Sequence, residues 1–161
     1  MTQLTLVRMP TAGSPGPVPE GPGRLRPIEE ADLEAVGRLY AASYPADVVG
    51  DEAAAVADIR ASWAGEYGTW LHEASLLVEL DPQPVAAVLT VDRPPWDDVA
   101  DLVFVIDLFT HPDYRGQGLA ERLVRAALAA VGPDRVVGLR VESDNGPAVR
   151  LYRRLGFRER P

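Results

Sequence analysis

Neither cysteine nor lysine occurs anywhere in this 161-residue sequence, and histidine appears only twice. Without cysteine there is no disulfide, no thiolate metal site and no sulfur nucleophile. Without lysine there is no Schiff-base chemistry and no Gly-x-x-x-x-Gly-Lys-Ser/Thr phosphate loop. His72 and His111 stand apart, outside any His-Glu-x-x-His or carboxylate spacing, so no metal site is expected. A Gly-x-Ser-x-Gly elbow is also missing, which argues against an α/β-hydrolase. No apolar run approaches the roughly 18–20 residues of a membrane span, and the N-terminus lacks a charged region followed by an apolar core and cleavage site. These absences lead to the expectation of a soluble, cytoplasmic protein without a membrane partner.

What is present is nearly half apolar, enough for one domain with a real core. The net charge of -8 is unevenly spread: from Arg115 onward it is +5, and before Arg115 it is -13. A basic C-terminal third suits an anionic cofactor. The acidic remainder would repel a nucleic-acid backbone and attract a cationic substrate such as an amine; charge that merely solvates separate faces is the competing reading.

The chain divides by composition into residues 1–23, a Pro/Gly-rich arm with one short alternating piece at Leu4–Val7, and residues 24–161, the folded domain. In the domain, Arg24–Ile28 reads as a first strand. Glu29–Ser43 reads as a helix, with Leu33, Val36 and Tyr40 at helical spacing, and Tyr44-Pro45 ends it. Asp51–Trp63 is a second amphipathic helix. Ser75–Leu80 and Val85–Val91 form a hairpin-like pair around Asp81-Pro82-Gln83-Pro84, and Leu102–Thr110 is a central strand. After it come a helix to Val131, stopped by Gly132-Pro133, a strand at Val136–Val141 and a last helix at Asn145–Leu155.

The most informative stretch is Arg115-Gly116-Gln117-Gly118-Leu119-Ala120, entered from that central strand through the turn His111-Pro112-Asp113-Tyr114. A strand, a glycine-bearing turn with a basic residue and a helix start make an anion site. The first N–H groups of a helix lack internal partners and carry the positive end of its dipole, and glycine lets a phosphate approach the backbone. The dinucleotide fingerprint Gly-x-Gly-x-x-Gly is not met. What matches is Arg-x-x-Gly-x-Ala, followed by Asn145-Gly146-Pro147-Ala148, Leu151-Tyr152 and Leu155-Gly156-Phe157.

In these two motifs, in this order and context, the chain resembles the GNAT superfamily of N-acetyltransferases over roughly Leu25 to Phe157. The resemblance implies an α/β (α+β) fold with a mixed, mostly antiparallel sheet splayed at the acyl-CoA strand and flanked by about four helices. It also implies acetyl-CoA as co-substrate and direct attack by a primary amine, with a small cationic amine as the expected acceptor. A non-catalytic acyl-CoA-binding module and a peptide or protein N-terminal acetyltransferase are the alternatives. The family's pyrophosphate loop falls on Arg115, Gly116, Gln117, Gly118, Leu119 and Ala120. Its pantetheine strand falls on Leu108, Phe109 and Thr110, where a backbone N–H can also polarise the thioester carbonyl. Asn145 falls on a further cofactor contact and is a helix N-cap candidate. Tyr152 takes the position of the general acid as well as a cofactor contact; a phenol of pKa about 10 can protonate a thiolate whose conjugate acid titrates near 8.5.

The general base stays open. Asp107, set in an apolar strand where burial would raise its pKa, is the favoured candidate; Asp101, Glu142 and His111 also lie near strand ends. Tyr44, Trp63, Tyr67, Trp70 and Trp96 cluster in the stretches where the resemblance places acceptor sites; Trp63 continues a helical face and reads as core, whereas Trp96, beside Pro95 and Asp97-Asp98, is the expected pocket wall. Family members usually add a strand pair after Gly156-Phe157, and this sequence stops at Pro161. Leu4–Val7, from the same chain or from a homodimer partner, is expected to cover the sheet edge left there.

Overall fold

The computed structural model describes residues 2–160, so Met1 and Pro161, the outer limits of the division drawn from composition, lie outside the described residues. One mixed sheet runs through the molecule. Its strands are β1 (Gln3–Arg8), β2 (Arg24–Pro27), β3 (Thr69–Trp70), β4 (Leu76–Leu80), β5 (Gln83–Asp92), β6 (Val103–Thr110), β7 (Val137–Glu142) and β8 (Arg158–Glu159). In space they lie in the order β2-β4-β5-β6-β7-β1-β8, with β3 paired to β5. Every pairing is antiparallel except β6 with β7.

The hairpin between β4 and β5 closes with Leu80 opposite Gln83, so Asp81-Pro82 is the whole turn. Asp81 takes a φ of 58°, a conformation that aspartate tolerates better than most residues. β5 is buried without interruption from Val85 to Val91 because both of its faces are covered. On one face lie α4 (Leu119–Val131) and α5 (Gly146–Arg154); Leu119, Leu123 and Val149 pack there against Val78, Val103 and Leu139. On the other lie α1 (Leu33–Ser43) and α3 (Glu52–Trp63), where Val36, Leu39 and Ile59 meet Leu77, Leu89 and Phe109. α1 and α3 touch through Gly37: a Cβ there would sit 2.5 Å from the Val56 Cα, so only glycine allows that approach.

Four long helices match the sequence expectation, and a fifth, α2 (Ala46–Val49), is a single turn. Pro45 sets its start and Gly50, with φ 79°, its end; four residues are too few to show a helical period.

The segment expected to cover an edge is a full strand. β1 lies antiparallel between β7 and β8, with Leu4 opposite Val141 and Leu6 opposite Leu139. It comes from the same chain, so this edge requires no partner subunit. The following Pro/Gly-rich residues are held by arginines. Arg8 donates from Nη2 to Gly13 O (2.6 Å), Arg122 from Nη1 to Pro22 O (2.6 Å), and Arg125 to Pro15 O. A proline-rich stretch has few N–H groups to satisfy its own carbonyls, and guanidinium donors supply them.

Leu6 is completely buried. Replacing it with alanine is expected to cost about 2–5 kcal/mol through lost burial and the cavity left behind; urea denaturation followed by circular dichroism measures it, and a loss below about 1 kcal/mol would show that β1 is only loosely docked.

Candidate functional site

The site begins with an irregularity in β6. Pairing against β5 runs Val91 to Phe104, Thr90 to Val105, and then Leu89 to Asp107, so Ile106 is an extra residue in the ladder. Such a bulge resets the alternation of faces. Before it, Val103 and Val105 point into the α4 core and Phe104 to the opposite side. After it, Leu108 joins the α4 core while Phe109 packs with α1 and α3. Asp107, two residues before Phe109, is thereby turned to the α1/α3 face. Were Ile106 to take a regular place in the ladder, the carboxylate would follow Val103 and Val105 into the apolar core.

The second irregularity is where β6 parts from β7. Their parallel pairing covers only Val103, Phe104 and Val105, opposite Val137, Gly138 and Leu139. Beyond Val105 the strands diverge. The His111 N–H donates to Val85 O (2.9 Å), so alternation turns the N–H and C=O groups of Leu108 and Thr110 away from β5 and into the gap. A row of strand-edge polar groups therefore faces an opening in the middle of the sheet.

Asp107 sits at the floor of this region, keeping some solvent contact though deep in the protein. The Tyr44 hydroxyl donates toward Asp107 Oδ1 (3.3 Å) and Leu108 O (3.2 Å), its single proton shared between two acceptors. Tyr40, Tyr44 and Phe109 pack ring against ring, with centroids 5.1 to 6.3 Å apart. Burial, and after it the charge of Asp58 on α3, push the Asp107 carboxyl up to about 7, while hydrogen bonds from Tyr44 and Tyr40 pull the other way and lose. Asp58 itself accepts from the Tyr67 hydroxyl at 2.7 Å.

The loop after β6 supplies the opposite polarity. Gly116 and Gly118 have φ of 78° and 76°, and nothing lies within 4 Å of where a Cβ would be on either. These glycines are required by backbone conformation and leave the space over the loop open. Gly118 is the N-cap of α4 and offers no side-chain acceptor, so the first N–H groups of a 13-residue helix stay available to an anion. The Arg115 guanidinium is turned away from that opening, donating from Nη2 to Ser43 O (2.8 Å) and from Nε to Thr110 O (3.2 Å).

α5 completes the site. Asn145 caps it, its side chain accepting from the Ala148 N–H at 3.4 Å. Tyr152 is buried against Phe157, ring centroids 5.7 Å apart. Burial, and then the charge of Asp107, raise its pKa above that of a free phenol, so it stays protonated at neutral pH.

The structure thus sets Tyr44 on both Asp107 and Leu108, brings Tyr152 within reach of the Asp107 charge, and ties the start of the glycine loop to Thr110 at the end of the same strand. The other base candidates differ. Asp101 and Glu142 are exposed, and the His111 Nδ1 accepts from the Asp113 N–H at 3.1 Å within its own turn. Trp96, expected as a pocket wall, instead stacks on Tyr67 (6.4 Å) and packs on Phe104 (5.9 Å), with the Arg140 guanidinium 5.5 Å over its ring. Trp96 is partly buried there, and Asp98 pairs with Arg140 beside it. Sequence reasoning did not assign Tyr40, Tyr44 and Asp58 to the surroundings of Asp107. Nothing in the spacing signals that contact, because 63 residues separate Tyr44 from Asp107. Among the described residues, no group of three His, Cys, Asp or Glu side chains could hold a metal ion, and no helix is long and apolar enough to cross a membrane.

The model of the acetyltransferase (GNAT) family matches residues 33–157. A mycothiol acetyltransferase of Actinosynnema mirum is 32% identical over 96% of this chain and 51% of its own length. The chain spans about half the length of the curated relatives with which it aligns most fully. Among solved structures, a GNAT-family protein from Novosphingobium aromaticivorans superposes with a TM-score of 0.61 at 29% identity, covering 99% of this chain and 61% of that one. An aminoglycoside N-acetyltransferase in complex with CoA superposes with a TM-score of 0.66 at 20% identity, covering 90% and 94%; at that identity the likeness concerns the fold.

An acid whose pKa is higher folded than unfolded binds an extra proton in the native state, so its contribution to stability falls as pH rises from about 4, the unfolded value, to about 7. Asp107→Asn removes that penalty. Its melting temperature is expected to exceed the parent's at pH 8 and to equal it at pH 4; equal melting at both pH values would mean Asp107 ionises freely.

Proposed function

Since the chain belongs to the GNAT acetyltransferase family, we propose that it moves an acetyl group from acetyl-CoA to a primary amine by direct attack. What supports this reading is the early parting of β6 from β7: the same strand carries a carboxyl held at about 7, Tyr152 stays protonated within reach of its charge, and the next helix starts without a side-chain cap.

The N–H groups of Gly116 to Ala120 fit a pyrophosphate, because the two left-handed glycines leave the approach clear and no side chain competes for the helix end. Leu108 and Thr110 fit the amide-bearing arm of CoA, pairing with it as a short strand would. When bound, acetyl-CoA supplies an activated acyl carbon on a thiol leaving group. The Leu108 N–H, turned away from β5, would be the donor for the thioester carbonyl oxygen. Asp107, directly or through water, takes a proton from the arriving ammonium, and a base near pH 7 is well matched to that task. As the C–N bond forms and the C–S bond breaks, Tyr152 gives its proton to the thiolate and recovers one from the nitrogen, leaving amide and free thiol. Asp107 returns its proton to solvent.

The acceptor fits a small cationic amine. Asp107 and Asp58 set a negative potential on the α1/α3 side, and the faces of Tyr40 and Tyr44 lie beside it.

Thiol release from acetyl-CoA across polyamines, aminoglycosides, amino acids and short peptides tests the reading. Release with one class of amine supports it; acetyl-CoA binding without release from any acceptor favours a binding module. Tyr152→Phe is expected to lower kcat about 10- to 10³-fold with little change in acetyl-CoA affinity. Gly118→Val places a β-branched residue at φ 76°, a strain of about 1–3 kcal/mol, and is expected to weaken acetyl-CoA binding at least tenfold by calorimetry.

A further inference from the structure

We propose that Arg115 is a positioning residue that ties the cofactor loop to the C-terminal end of α1 and so holds Tyr44 against Asp107. The proposal rests on the reading of Asp107 as the base, and it gives Arg115 a task distinct from contacting a phosphate.

The geometry is a short bridge. Arg115 opens the glycine loop, yet its guanidinium donates to Ser43 O at 2.8 Å and to Thr110 O at 3.2 Å. Ser43 is the last residue of α1, and its carbonyl is one of the four at a helix C-terminus without an internal partner. A cation there is favoured by both the hydrogen bond and the dipole. The next residue, Tyr44, leaves the helix with extended backbone (φ -130°, ψ 154°), and its hydroxyl reaches Asp107 and Leu108. Thr110 is the last residue of β6, three positions past Asp107. One planar side chain thus spans the ends of the two elements that carry the carboxyl and its hydrogen-bond donor. A lysine would keep the charge but lack the fixed fork that serves two carbonyls at once.

The titratable groups facing Asp107 are Tyr40 from α1, Tyr44 just after it, Asp58 from α3 and Tyr152 from α5. Of these, Tyr44 is the one that Arg115 reaches through the adjoining residue. Its hydrogen bond favours the ionised carboxylate, so loosening it raises the Asp107 midpoint.

The test is read in the resting protein, without acceptor or turnover, so failure to find an acetyl acceptor leaves it standing. The Asp107 carboxyl is titrated by ¹³C NMR in the parent, Arg115→Gln, Arg115→Lys and Tyr44→Phe, and CoA affinity is measured on each by calorimetry. All three variants are expected to raise the midpoint by about half a unit or more, and Arg115→Gln in the Tyr44→Phe background is expected to add nothing further. CoA affinity is expected to change less than about threefold in both Arg115 variants, whereas loss of a charged hydrogen bond to phosphate weakens binding about 10- to 100-fold. A midpoint unmoved in both Arg115 variants overturns the proposal, whatever the affinity does. Arg115→Lys guards against a loop that misfolds once the charge is gone, and thermal melting shows that each variant is folded.

Discussion

The early end of the pairing between β6 and β7 is the constraint from which the rest of the site follows. Three residues pair in parallel, and then two neighbouring strands in the centre of one sheet separate. Backbone polar groups left in such a gap must find partners, because a buried N–H or C=O without one costs about as much as a lost hydrogen bond. Part of the demand is met by side chains, with Tyr44 on Leu108 O and Arg115 on Thr110 O. The N–H groups on the same edge are what an extended ligand would use. β6 therefore carries hydrogen-bonding capacity beyond the point where its pairing with β7 ends.

The extra residue at Ile106 acts on the same strand for a different purpose. A run such as Val103-Phe104-Val105-Ile106-Asp107-Leu108-Phe109 alternates faces, and strict alternation would send the carboxylate into the α4 core. One inserted residue changes its face and sets it among tyrosines, where burial and Asp58 keep it half-protonated near neutral pH. That arrangement costs stability increasingly as pH rises from about 4 to about 7, and in full above that. A carboxyl in a comfortable, well-solvated place would be a weaker proton acceptor at that pH, so the cost and the chemistry have one origin.

Arginine is the only strong cation in the sequence, and several of these side chains work as cross-links rather than as surface charge. Arg8 donates to Gly13 and Leu155, Arg122 to Pro22, Arg125 to Pro15, and Arg115 to Ser43 and Thr110. Each joins segments with spare carbonyls, a Pro/Gly-rich stretch or the end of a helix or strand. The rigid fork of five donors suits this use, and an ammonium would not replace it.

Much of this was legible from local signals. The apolar runs of β4, β5 and β6, the glycine loop opening α4, the Asn145 cap and the helical period of α1, α4 and α5 all depend on neighbours within a few residues, which a sequence displays directly. The basic C-terminal third and the acidic remainder were equally plain. The tertiary structure decided what depends on residues far apart: that β1 joins β7 and β8, that Ile106 bulges and re-aims Asp107, that Trp96 is packed away under Arg140, and that Tyr44 closes on Asp107 across 63 residues. Period and composition report the face an element buries. They carry no record of which distant element meets that face, because the pairing is chosen by the packing of the whole sheet.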